Sequence, residues 1–152
     1  MKTHKGLLVI VPVIVLLSLA AERLSAAEDA ILIITHKSAT ISKLDNETLR
    51  SVFLGQKTFW ETGGRIAPIM RPPSVPAGKL FFQDILAMVP GRFHHHWSGL
   101  ELSGAGVAPS AVASPQDVAR LVSANPGAIG FITEAELPLI AKFQVKSTRP
   151  TR

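Results

Sequence analysis

The segment Asn125-Pro126-Gly127-Ala128-Ile129-Gly130-Phe131-Ile132 constrains this chain more than any other. Ahead of it, Val118, Leu121 and Val122 fall at helical spacing and form an apolar stripe. Pro126 cannot continue that helix, and the glycines beside it accept a tight turn. Gly130-Phe131-Ile132 then reads as a short apolar strand. A helix that turns back into a strand is the repeating unit of α/β packing.

The rest of the chain alternates in the same way. Ala30-Ile31-Leu32-Ile33-Ile34-Thr35 is a continuous apolar run, as expected of a strand buried on both faces. After the polar connection from His36 to Lys43, Asp45 is placed to cap a helix, with Leu44 and Leu49 at the two positions of a hydrophobic staple. Leu49, Val52 and Phe53 form its inner face, and Gly55 ends it. Glu61-Thr62-Gly63-Gly64 turns into a strand from Arg65 to Met70. Arg71-Pro72-Pro73-Ser74-Val75-Pro76, with three prolines in six residues, is a stiff loop.

A helix carrying Leu80, Phe81, Ile85 and Leu86 follows, and Pro90-Gly91 is expected to end it. Phe93 to Trp97 reads as a short helix, and Ser103 to Gly106 as a loop. Ser114-Pro115-Gln116-Asp117 opens another helix with Ser at the cap, Pro at the first position and an acid at the third. Thr133 is placed to cap a last helical turn. Phe143-Gln144-Val145 is the expected final strand, with a fraying basic tail over 146–152.

The N-terminus carries a different pattern. Lys2 and Lys5 precede an uncharged run from Gly6 to Ala21, and Ser25-Ala26-Ala27 follows. This is the basic, apolar and small-residue order of a secretory signal peptide over residues 1–27, cleaved near Ala27. The run is shorter than the ~20 residues that span a bilayer and contains Pro12, which argues against a membrane anchor. The remaining residues make one domain, 28–145 plus the tail, expected to be soluble in the periplasm. The chain has no cysteine, so export brings no disulfide. Its net charge of +5 falls to +3 once Lys2, Lys5, Arg23 and Glu22 leave with the signal peptide. That balance suits an anionic ligand. The bases are scattered, without a stripe or interleaved aromatics, which argues against nucleic acid.

Chemistry-bearing motifs are few. No Gly-x-Ser-x-Gly, phosphate-binding P-loop or Cys nucleophile occurs, so the chain is expected not to be an enzyme and to need no cofactor. His94-His95-His96 is the one metal-like cluster. Consecutive histidines on a helix point about 100° apart, whereas helical zinc pairs sit four residues apart. No metal site is expected there. Trp60 and Trp97 read as core or groove-wall residues.

Taken in order, the strand Ile31–Thr35, the Leu44-Asp45…Thr48-Leu49…Phe53-Leu54-Gly55 helix and Trp60 begin a familiar series. The strand ending at Arg71, the Ser74 loop, Gly104-Ala105-Gly106 and the Pro126–Phe131 turn complete it. The series resembles the periplasmic phosphate-binding proteins of ABC transporters over residues 30–137. The resemblance implies a single lobe of a type 2 periplasmic-binding-protein-like fold, a mixed sheet flanked by helices. Full-length members have two lobes that close on phosphate. This chain has about half that length, as in a short substrate-binding-like branch. One lobe holds half a site, so it would bind weakly, dimerise across its open face, or use a partner as its second lobe.

In the family the loop after the second strand reads Arg-x-x-Gly-Ser-Gly-Thr or close to it, and its Arg, hydroxyls and following helix N-terminus hold phosphate oxygens. Here Arg71 and Ser74 match by type. Val75 replaces a glycine, and Pro76 replaces the threonine and supplies neither hydroxyl nor N–H. Thr35, Lys37 and Ser38 lie at the end of the first strand, where α/β proteins place ligands. The bland accounts are a solvated charge for Arg71, a helix cap for Ser74 and a plain polar loop for Thr35 to Ser38. The resemblance thus implies an exported solute-binding-like protein for phosphate or another small oxyanion, in transport or sensing, with an ABC permease, a membrane sensor or a second copy as partner. The alternative is a non-transport interaction module that keeps the lobe but has lost the ligand site and contacts a membrane sensor or transporter.

Overall fold

The computed structural model describes residues 30–41 and 44–151, so the expected signal peptide lies outside the described residues. Five strands form one mixed sheet: β1 (Ile31–His36), β2 (Ala67–Met70), β3 (Ser110–Ala111), β4 (Ala128–Thr133) and β5 (Val145–Thr148), in the order β3-β2-β4-β1-β5. β2 runs parallel to β3 and β4, while β1 runs antiparallel to both β4 and β5. The helices are α1 (Asn46–Phe53), α2 (Pro76–Leu80), α3 (Pro90–Leu102), α4 (Pro115–Ala124) and α5 (Leu137–Ile140). α2 continues as a π-helical segment over Phe81–Leu86, and a 3-10 turn at Glu134–Glu136 precedes α5. This is the expected α/β lobe with a mixed sheet flanked by helices.

The two faces of the sheet bury separate cores, because successive strand residues point to opposite sides. Ile31, Ile33, Ile129 and Phe131 pack against Leu49, Val52 and Phe53 of α1 and against Phe81, Phe82, Ile85 and Leu86. Phe53, Phe81 and Phe131 meet there, the last two stacked with ring centroids 3.8 Å apart. Leu32, Ile34, Ala128 and Ile132 pack against Val118, Ala119 and Val122 of α4 and Ile140 of α5. Gly130 makes the second layer possible: a Cβ there would lie 2.4 Å from Val118 Cγ1.

Helix starts follow the local sequence. Asp45 accepts from the Thr48 amide at 2.8 Å, and Ser114 accepts from the Asp117 amide at 3.1 Å. The turn into β4 is held by Asn125, whose side chain accepts from Gly127 N at 2.9 Å while its carbonyl accepts from Ala128 N at 3.0 Å. Trp60 and Trp97 are both buried, their indole N–H groups donating to Gly127 O and Phe53 O, each at 3.2 Å.

Two elements differ from the sequence expectation. Pro90 starts α3, which runs to Leu102, rather than ending the preceding helix; a proline lacks the amide that the first helical position leaves unpaired anyway. The preceding helix ends instead at Ala87, in the left-handed region with φ 50°. The last strand is Val145–Thr148, and the chain beyond it is bound: Thr151 N donates to Leu44 O at 3.2 Å and its carbonyl accepts from Asn46 N at 3.1 Å. Among the described residues, no helix is long and apolar enough to cross a membrane.

Candidate functional site

β2, β3 and β4 are parallel, so their carboxyl ends meet on one edge, the usual place for a ligand in an α/β sheet. Arg71 follows directly on β2 and turns its side chain inward, leaving it 2% exposed. Nη1 donates to Glu136 Oε2 at 2.5 Å, and Nη2 donates to the Ala113 carbonyl at 2.6 Å. Nε has no partner among the described residues. A buried donor of that kind costs stability unless something accepts from it. The same Glu136 oxygen accepts from Thr133 N at 2.9 Å, and the Thr133 side chain accepts in return from the Glu136 amide, a capping box on the 3-10 turn. The ends of β2 and β4 and the segment leading into α4 are thereby tied through one guanidinium.

The stiff loop sits over this edge. Val75 N donates to Pro72 O at 3.1 Å, closing the turn that contains Ser74. Ser74 is exposed and does not cap α2; the cap position is Val75, with no side-chain cap bond. The loop presses onto α2 at Gly78, where a Cβ would lie 2.0 Å from Pro72 O. Pro76 occupies the first turn of α2, so only Ala77 and Gly78 carry amides ahead of the first helical bond, from Lys79 N to Val75 O at 3.0 Å.

The other predicted residues are elsewhere. β1 runs against β4, with Thr35 opposite Ile129, so the carboxyl end of β1 lies at the far edge of the sheet from Arg71 and Ser74. Thr35 is buried there and lines an open cleft of about 430 Å³ together with Thr40, Ile41, Leu44, Lys146, Thr148 and Arg149. Ser38 lines an adjoining cleft of about 370 Å³ walled by Trp60 and Gly127. Lys37 donates to Gln144 Oε1 at 3.0 Å, and Ser38 pairs with His36 Nδ1 at 2.6 Å. Lys146 donates to Ala39 O at 3.1 Å, and Arg149 pairs with Glu134. The five predicted residues therefore fall into two groups at opposite edges.

Glu136 and the Ala113 carbonyl were not legible as partners of Arg71. Thr133-x-x-Glu136 has capping-box spacing, which signals the turn but not the arginine. His96 Nε2 bonds Leu54 O at 2.9 Å, while His94 and His95 are exposed. Among the described residues, no three of His, Cys, Asp or Glu converge on a point that would hold a metal.

No family model matches the sequence, and a search of curated proteins finds no match. Solved structures do resemble the fold. PstS from Borrelia burgdorferi superposes with a TM-score of 0.61 at 17% identity, over 80% of this chain and 47% of that one. An ABC-type phosphate transport receptor from Vibrio cholerae gives 0.58 at 20% identity, over 80% and 48%. A Clostridium perfringens structure with bound phosphate gives 0.54 at 19% identity, over 69% and 40%. The chain spans less than half the length of these structures. At such identities the likeness establishes a shared fold: this chain has the architecture of one lobe of those proteins.

Proposed function

We propose that this chain is an exported, solute-binding-like lobe that takes phosphate or another small oxyanion, weakly, in transport or sensing. The observation that carries the reading is the buried Arg71 guanidinium at the carboxyl end of the parallel strands, with an Nε–H that no described residue accepts. Arg71 would supply the charge-assisted contact, and Ser74 and the amides of Ala77 and Gly78 would add to it. The Vibrio cholerae and Clostridium perfringens structures of like fold are named as a phosphate transport receptor and a phosphate ABC transporter substrate-binding protein, and they support a binding role rather than an enzymatic one. Thr35, Lys37 and Ser38 would belong to a separate contact, since they cannot reach the same ion. A half-site of this kind works through a partner: an ABC permease, a membrane sensor or a second copy. The test is calorimetry of the chain without residues 1–27 against phosphate, sulfate and related oxyanions. A dissociation constant of micromolar to millimolar order that is lost in Arg71→Ala is the expected result.

One observation favours a second reading, an interaction module without a ligand site. Glu136 already neutralises Arg71 from within the chain. Absence of heat with every oxyanion at millimolar concentration, together with co-purification of a membrane sensor or transporter, would decide for that reading.

A further inference from the structure

We infer that Glu136 is a built-in occupant of the anion position, so that an external oxyanion reaches Arg71 only when this carboxylate leaves. The inference rests on the reading of Arg71 as an anion contact. Glu136 Oε2 takes one guanidinium N–H at 2.5 Å and one strand-end amide, Thr133 N, at 2.9 Å. Those are the donor types that hold an oxyanion at the end of a sheet. With the carboxylate seated, the charge of Arg71 is cancelled, Nη2 donates to the Ala113 carbonyl, and Nε, unpaired among the described residues, is shut off from solvent and from an incoming anion.

Access follows the same geometry. Arg71 is 2% exposed and Glu136 is 20% exposed, so the acid is the member of the pair that meets solvent. It stands on the three-residue turn Glu134–Glu136, outside the sheet. Swinging it away breaks the capping box and the ion pair but disturbs no strand pairing. Glu136 therefore acts as a gate and a competitor rather than as a ligand contact.

The experiment titrates inorganic phosphate and sulfate into the parent, Glu136→Gln, Arg71→Ala and the double variant. Thermal unfolding of each is recorded in phosphate and in sodium chloride of matched ionic strength. Glu136→Gln should bind phosphate at least about tenfold more tightly than the parent, the worth of one freed charge-assisted contact, and the double variant should lose that gain. Phosphate should raise the unfolding temperature of Glu136→Gln more than that of the parent. Glu136→Asp, which withdraws the carboxylate by one methylene while keeping the charge, covers the case in which the Gln variant does not fold, and it should show the same gain in smaller degree. If a folded Glu136→Gln or Glu136→Asp binds no better than the parent while Arg71→Ala weakens binding, the gate is wrong and the anion site stands. If the gain survives in the double variant, the ion binds elsewhere and the gate is wrong. If no protein responds to either anion by heat or by melting, the anion site itself fails and the gate with it.

Discussion

At the scale of single residues, Arg71 stands out as the one charged side chain that is buried among the described residues. A buried charge is tolerated only when paired and hydrogen-bonded. Removing its partner in Glu136→Ala leaves the charge uncompensated and should cost about 3–5 kcal/mol in urea denaturation. Replacing both members, as Arg71→Met with Glu136→Leu, should cost far less, because an apolar pair of similar volume avoids the desolvation penalty. Gly130 makes the opposite argument, since its position has no room: Gly130→Ala should destabilise by about 1–3 kcal/mol, and a second change, Val118→Ala, should recover part of the loss. The strand position of Gly130 was readable from the sequence, since Gly130-Phe131-Ile132 reads as an apolar strand after the Pro126-Gly127 turn, but the close approach of Val118 was not. The Arg71–Glu136 pair was not, because its members are 65 residues apart and nothing local links them.

At the scale of elements, polar caps were the dependable signal. Asp45 and Ser114 start α1 and α4 as their spacing predicts, while Pro90 has the same identity whether it opens a helix or follows one. The positive φ of Ala87 had no sequence marker at all. Ser114→Ala should cost about 1 kcal/mol through the lost cap. Asp117 adds a pH dependence: its hydrogen bond from Arg120, then that from Ser114, holds its carboxyl below the usual range. A carboxyl lowered in the folded state stabilises above its unfolded pKa, and that contribution fades as pH falls through the lowered value. The acid side of the stability profile should therefore be flatter in Asp117→Asn than in the parent, as followed by circular dichroism between neutral and strongly acidic pH.

At the scale of the whole molecule, strand direction is what the sequence hid. Apolar alternation marks a strand and its faces but is the same read in either direction. The runs at β1, β2 and β4 were legible, and so was the α/β class; the antiparallel seating of β1, which sends Thr35 to one edge and Arg71 to the other, was not. The same non-local pairing brings the C-terminal segment into the sheet. β5 covers the outer side of β1 through the pairs Ile33–Thr148, Ile34–Ser147, Thr35–Lys146 and His36–Val145, and Thr151 ties the chain back to the start of α1. Its side chains beyond Val145 are exposed, so β5 contributes backbone pairing more than core, and Lys146 places a charge on the open edge. Ending the chain at Gln144 should leave the two cores covered by their helices yet strip β1 of one side of its ladder. At about 1 kcal/mol per net hydrogen bond, the loss should be on the order of 3 kcal/mol in denaturant unfolding. The uncovered edge of β1 is apolar and continuous, and such an edge pairs with another chain. Sedimentation should then show the shortened protein associating at concentrations where the full chain does not. An equally stable truncation with unchanged sedimentation would mean that β5 is dispensable to the fold.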